Sequence, residues 1–120
     1  MGYNTMNDII NKLISLSKIF KDGYTVELNN GTINQYSSTD KPYIVSYLTL
    51  IEVRQDKTLY NNIQRIPNNC IIGAWLDTDT NIYYIELNKV FKSKRYALKI
   101  AKKFSQKAIY DNKHGVVIWT

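Results

Sequence analysis

Residues 89–107 carry eight cations: Lys89, Lys92, Lys94, Arg95, Lys99, Lys102, Lys103 and Lys107. No acid lies between Glu86 and Asp111. Lysine and arginine at this density do phosphate chemistry in the binding sense. They neutralise and hydrogen-bond anionic oxygens, and they form no covalent bond. At 100° per residue, Arg95, Lys99, Lys102 and Lys103 fall on one face of a helix, opposite Ala97, Ile100, Ala101 and Phe104. A solvated helix face would also be charged. Two features speak for a ligand. Like charges at 95/99 and 99/103 each cost about 0.2–0.5 kcal/mol, and Lys94 and Arg95 stand at the positive end of the helix dipole. An acidic patch elsewhere in the chain would relieve the same penalties.

Other candidate chemistry is sparse. Asp77, Asp79 and Asn81 begin like a calcium loop, but Ile82 replaces the required glycine and Asn88 the bidentate glutamate. The stretch therefore reads as a turn with no metal. One histidine and one cysteine cannot build a zinc site. No phosphate-binding glycine loop or nucleophile motif occurs, so the expectation is a non-enzyme with no cofactor. Ten tyrosines and two tryptophans offer rings on which bases could stack. Strand residues are the alternative for Tyr24, Tyr47, Tyr84 and Trp75. Tyr83, Tyr84 and Tyr96 flank the basic run.

These residues need elements to hold them. Thr5 and Asp8 make an approximate capping box for a helix over 6–21, with Met6, Ile10, Leu13, Ser17 and Phe20 on its apolar stripe and Gly23 as its left-handed terminator. Asn29-Asn30-Gly31 joins 24–28 to 32–36 as a hairpin. Residues 43–53 are apolar on both alternations, which predicts an interior strand. Residues 56–66 are ambiguous, with a short helix as one reading. Residues 70–76 and 82–87 form a second hairpin, and 108–110 with 116–119 a third. Ser93 caps a helix over 94–105. The fold class is α+β: one domain over 1–120, an antiparallel sheet of about 5–7 strands and two main helices.

Composition sets the remaining bounds. The chain has 120 residues, 44% of them hydrophobic, and a formal charge of +6. Residues 87–110 hold half the basic residues and no acid, leaving the rest formally −2. Such localisation implies an anionic partner. A single cysteine, Cys70, excludes an internal disulfide. No apolar run reaches the ~20 residues of a membrane span, and the N-terminus lacks signal-peptide and myristoylation patterns. The expectation is a cytoplasmic protein without a membrane partner.

Gly73-Ala-Trp75-Leu-Asp77, Tyr83-Tyr84-Ile-Glu86 and Ala97-x3-Ala101-x4-Gln106-x-Ala108-Ile109-Tyr110-Asp111 form a pattern, with Gly23–Val26 and Tyr43–Tyr47. It resembles small uncharacterised proteins of phages and mobile elements of gut bacteria. Gly73-Ala74 stands where that group has a glycine pair, and Tyr110-Asp111 where it tends to have Phe-Asp. The resemblance implies a phage-type accessory protein, of a kind that often counters host defence by binding. The expected function is capture of a nucleotide immune signal or a nucleic acid. The expected ligand-binding residues are Arg95, Lys99, Lys102 and Lys103, with Lys94, Lys107, Tyr83, Tyr96 and Gln106. The alternatives are a protein–protein inhibitor of a host defence nuclease and a structural or packaging component. A homo-oligomer is compatible with any of these.

Overall fold

A computed structural model describes residues 5–120. The elements in chain order are α1 (Met6–Ile19), β1 (Gly23–Asn29), β2 (Thr32–Gln35), β3 (Tyr43–Val53), β4 (Thr58–Tyr60), β5 (Asn69–Asp77), β6 (Ile82–Phe91), α2 (Lys94–Lys103), β7 (Ala108–Asp111) and β8 (Val116–Trp119). A short 3-10 turn occupies Ile63–Arg65. The fold is α+β with two helices and one antiparallel sheet of eight strands, ordered β2-β1-β5-β6-β3-β7-β8, with β4 paired to β3. The strand beyond the expected number is β4, which falls in the stretch with ambiguous periodicity. β3 is interior, as its two-sided apolar pattern requires. Adjacent pairs Ile44/Val45 and Leu50/Ile51 are buried along it.

The chain forms two compact units, and β3 and β6 run through both. The first comprises 5–36 and 49–87, the second 37–48 and 88–120. In the first unit, Thr5 and Asp8 complete the capping box of α1, each side chain accepting from the other's backbone N–H at 3.2 Å. The helix buries Ile9, Ile10, Leu13 and Ser17. It ends at Ile19, two residues early, and Phe20 donates its N–H to Leu16 O at 2.8 Å. Met6 and Phe20, assigned to the apolar stripe, are exposed.

Gly23 is not the helix terminator. It opens β1 at φ +150°, and a Cβ there would lie 2.4 Å from the carbonyl oxygen of Ala74. The glycine is needed for close strand approach rather than for a cap. β1 runs antiparallel to β5 from Gly23↔Trp75 to Asn29↔Asn69. It turns into β2 through Asn30 (φ 47°) and Gly31 (φ 87°), the two positive φ values of a type I′ hairpin.

The second unit is built on a row of small contacts. Ala97 and Ala101 of α2 are fully buried against Val45 and Ile109, with Tyr43, Phe91, Leu98, Ile100 and Ile118 around them. Two alanines at the contact let the helix lie close to the strands, and this turn spacing fixes which helix face points out. Ser93 caps α2, its Oγ accepting from Tyr96 N–H at 3.1 Å. The other end is a Schellman closure two residues before the expected end. Ser105 takes φ 56°, its N–H donates to Lys102 O at 3.1 Å, and Gln106 N–H donates to Ala101 O at 2.8 Å.

Candidate polyanion-binding face

With Ala97 and Ala101 facing the strands, helical geometry turns Arg95, Lys99, Lys102 and Lys103 outward, and all four are exposed. Lys94 and Lys107 are exposed as well. Lys94, Arg95, Leu98, Lys99 and Lys102 line an open groove of about 550 Å³, with Leu98 the one apolar residue in its wall. The groove follows the outside of the helix and is not an enclosed chamber.

None of Lys94, Arg95, Lys99, Lys102, Lys103 and Lys107 makes an ion pair among the described residues. The second unit holds ten of the sixteen basic residues and two of the ten acids, a formal +8 against −2 for the first. Both of its acids are engaged elsewhere. Asp40 meets Lys92 at 3.5 Å on the surface. Asp111 is buried, and its Oδ2 lies 2.8 Å from His114 Nδ1 while its Oδ1 accepts from the Lys113 and His114 N–H groups at 3.0 and 3.2 Å. Burial pushes the Asp111 carboxyl up. The hydrogen bonds from His114, the charge on that ring and the Lys113 N–H outweigh burial, and the net direction is down. Within the second unit, no acid offsets the stripe.

The predicted aromatics separate. Tyr96 is 50% exposed and stands edge-on to Phe91 at 5.3 Å, so its free face borders the basic helix. Tyr83 is not a stacking platform. It is 5% exposed, its hydroxyl donates to Phe20 O at 2.5 Å, and burial followed by the nearby Asp22 pushes that phenol up to about 12. Tyr24 does the same work on α1, donating to Leu13 O at 2.8 Å. Tyr84 stacks on Trp75 at 5.3 Å. Gln106 is half-buried, and its backbone is committed: the N–H closes α2 and the C=O accepts from Thr120 Oγ1 at 3.2 Å.

Two features escaped sequence reasoning. Lys89 lies over the Tyr47 ring at 5.2 Å, and that ring also meets Phe104 at 6.0 Å. This contact holds the Lys89 ammonium on an aromatic face, on β6 rather than on α2. In the first unit, Glu86 is buried, with Trp75 Nε1 donating to Oε1 and Thr49 Oγ1 to Oε2, both at 3.0 Å. No local motif announces a carboxylate whose partners lie on two other strands. The Asp77–Asn81 stretch is a hairpin turn. Asp77 Oδ1 accepts from Asp79 N–H at 3.0 Å, and Asn81 takes φ 59° and donates its N–H to Asp77 O.

Comparison with protein families, curated proteins and solved structures finds no match to this chain.

Proposed function

We propose that this protein works by binding, and that it holds the phosphate backbone of a nucleic acid on the outer face of α2. The observation that carries the reading is the set of five exposed cations on α2, with exposed Lys107 just beyond its end, that no carboxylate neutralises among the described residues. Uncompensated like charge on a short helix is a stability cost, and phosphate removes it. The open groove favours a polyanion over a mononucleotide signal, which needs an enclosed pocket to bury most of its surface. Ten residues of helix span roughly 15 Å, over which duplex DNA presents a charge about every 1.7 Å. Leu98 and the half-exposed Tyr96 give the face an apolar component beside the charges. Occupying nucleic acid without chemistry on it also suits the counter-defence role that the phage-type motif pattern implies.

The test is the triple variant Arg95→Glu, Lys99→Glu, Lys102→Glu against duplex DNA, RNA and a panel of nucleotides. The wild type should bind the polymers, with log Kd changing by about 0.9 per log unit of salt for each phosphate contacted on duplex DNA. The variant should lose that binding. Equal binding by the folded variant, or none by the wild type, overturns the reading.

A further inference from the structure

The two edges of the sheet differ in kind. β2, at one end, exposes Thr32, Asn34 and Gln35. β8, at the other, is Val116-Val117-Ile118-Trp119, with no charge, no proline and no bulge partner to blunt it. Trp119 is 72% exposed, more than any other large apolar side chain described. Ile118 packs beneath α2, paired with Ile109. Val117 and Trp119 therefore point to the opposite face, paired with Tyr110 and Ala108. Along the row Ile44, Tyr110, Val117, cross-strand neighbours on one face, exposure climbs from 4% through 37% to 53%. The row runs off the edge uncovered, beside a line of unpaired backbone groups.

We propose that β8 pairs antiparallel with β8 of a second copy, and that the pair brings two basic helices onto one face as a bipartite polyanion site. The second half rests on the function proposed above; the first half does not. A second copy is the occupant that fits because β8 is its own complement. The two-fold axis of an antiparallel strand pair is perpendicular to the sheet, so it can pair only residues that point to the same side. A register with Ile118 on the axis meets this condition and sets Val117 opposite the second copy's Trp119. That covers the most exposed rings with apolar partners and continues the Ile44–Tyr110–Val117 row. Because the axis is perpendicular to the sheet, both copies of α2 fall on the same side. One continuous strip then carries two sets of the six unpaired cations. The same charge opposes association, since each chain is +6. The dimer should therefore tighten as salt screens that repulsion, while polyanion binding weakens.

The experiment is sedimentation of the full chain without nucleic acid from about 1 μM to 1 mM at low and high salt, with Val117→Glu/Trp119→Glu beside the wild type. The double variant lowers the net charge of each chain, which eases the overall repulsion, while in this register its introduced carboxylates face each other across the strand pair and so oppose this interface in particular. Both replaced side chains are exposed, and circular dichroism checks the fold. The expected result is a wild-type dimer that strengthens with salt, and a dissociation constant raised at least about tenfold in the variant. A monomer throughout, or a dimer indifferent to the double change, overturns the β8 interface. Duplex DNA of about 30 base pairs tests the second half: the wild-type salt slope should exceed that of the monomeric variant. A wild-type dimer with an unchanged slope overturns the bipartite site. A dimer that binds no DNA overturns the proposed function and leaves the interface standing.

Discussion

Single side chains decide two properties of this molecule. Glu86 is a buried carboxylate satisfied by an indole N–H and a hydroxyl. Truncation removes a charged acceptor from the half-buried Thr49 hydroxyl and from the indole of Trp75, which is 45% exposed, and a hydrogen bond to a charged group contributes about 1.5–3 kcal/mol, less where water can replace it. Glu86→Ala is therefore expected to lose about 2 kcal/mol or more in urea unfolding. Glu86→Gln keeps one acceptor oxygen and should lose less. Equal losses for both would mean that packing, rather than hydrogen bonding, holds this position. Asp111 gives a pH signature. Its folded carboxyl titrates below the ordinary 3.8, so the unfolded chain binds the proton more readily. The sign follows: the contribution is complete above about pH 4–5 and is lost as pH falls through the folded value. Asp111→Asn should be less stable than wild type at pH 6, and the gap should narrow on acidification to pH 3. A gap that widens there contradicts the His114 pairing.

At the scale of the element, α2 is built against its own stability at the N-terminus and closed unusually at the C-terminus. Lys94 and Arg95 stand on the first turn, where the dipole disfavours cations. Arg95→Glu should therefore stabilise the fold by about 0.3–1 kcal/mol while weakening polyanion binding. Thermal melts and a binding titration on the same sample read both. Stability gained with polyanion binding unchanged or improved would show that Arg95 does not contact the ligand. Ser105 holds the left-handed position of the Schellman closure, which glycine occupies at no steric cost. Ser105→Gly should raise stability by about 1 kcal/mol. Gly23 is the opposite case, since its missing Cβ is filled by the Ala74 carbonyl. Gly23→Ala pits a rigid backbone against the new methyl and should cost more than about 2 kcal/mol in the same unfolding assay.

For the molecule as a whole, the charge is partitioned rather than diffuse: +8 on one unit and −2 on the other. Self-repulsion within the basic unit is screened by salt, so the wild-type melting temperature should rise between about 0.05 and 0.5 M NaCl. The triple reversal on α2 should flatten that rise. A wild type whose stability is flat or falling with salt would mean that the stripe is already neutralised. No helix among the described residues is long and apolar enough to cross a membrane.

What the sequence determined by itself was everything that depends on residues within a turn or two of each other. Thr5 with Asp8, and Ser93 before Lys94, announced two helices, because caps act three residues away. Asn30-Gly31 announced a hairpin, because positive φ is a property of the residue itself. The two-sided apolar run at 43–53 announced an interior strand, and the alanines at 97 and 101 chose the face that α2 turns outward. Tertiary structure alone decided who meets whom. It placed the β5–β6 hairpin between β1 and β3, although β2 lies nearer to β3 in the chain. It made Gly23 a point of close approach instead of a helix stop, and buried Tyr83 against Phe20 while leaving Tyr96 half in water. It took both acids of the basic unit to Lys92 and His114, so that none reaches the stripe. Local periodicity says which side of an element seeks burial. It does not say which distant segment supplies it, because any apolar face of matching shape would serve until the chain closes on one.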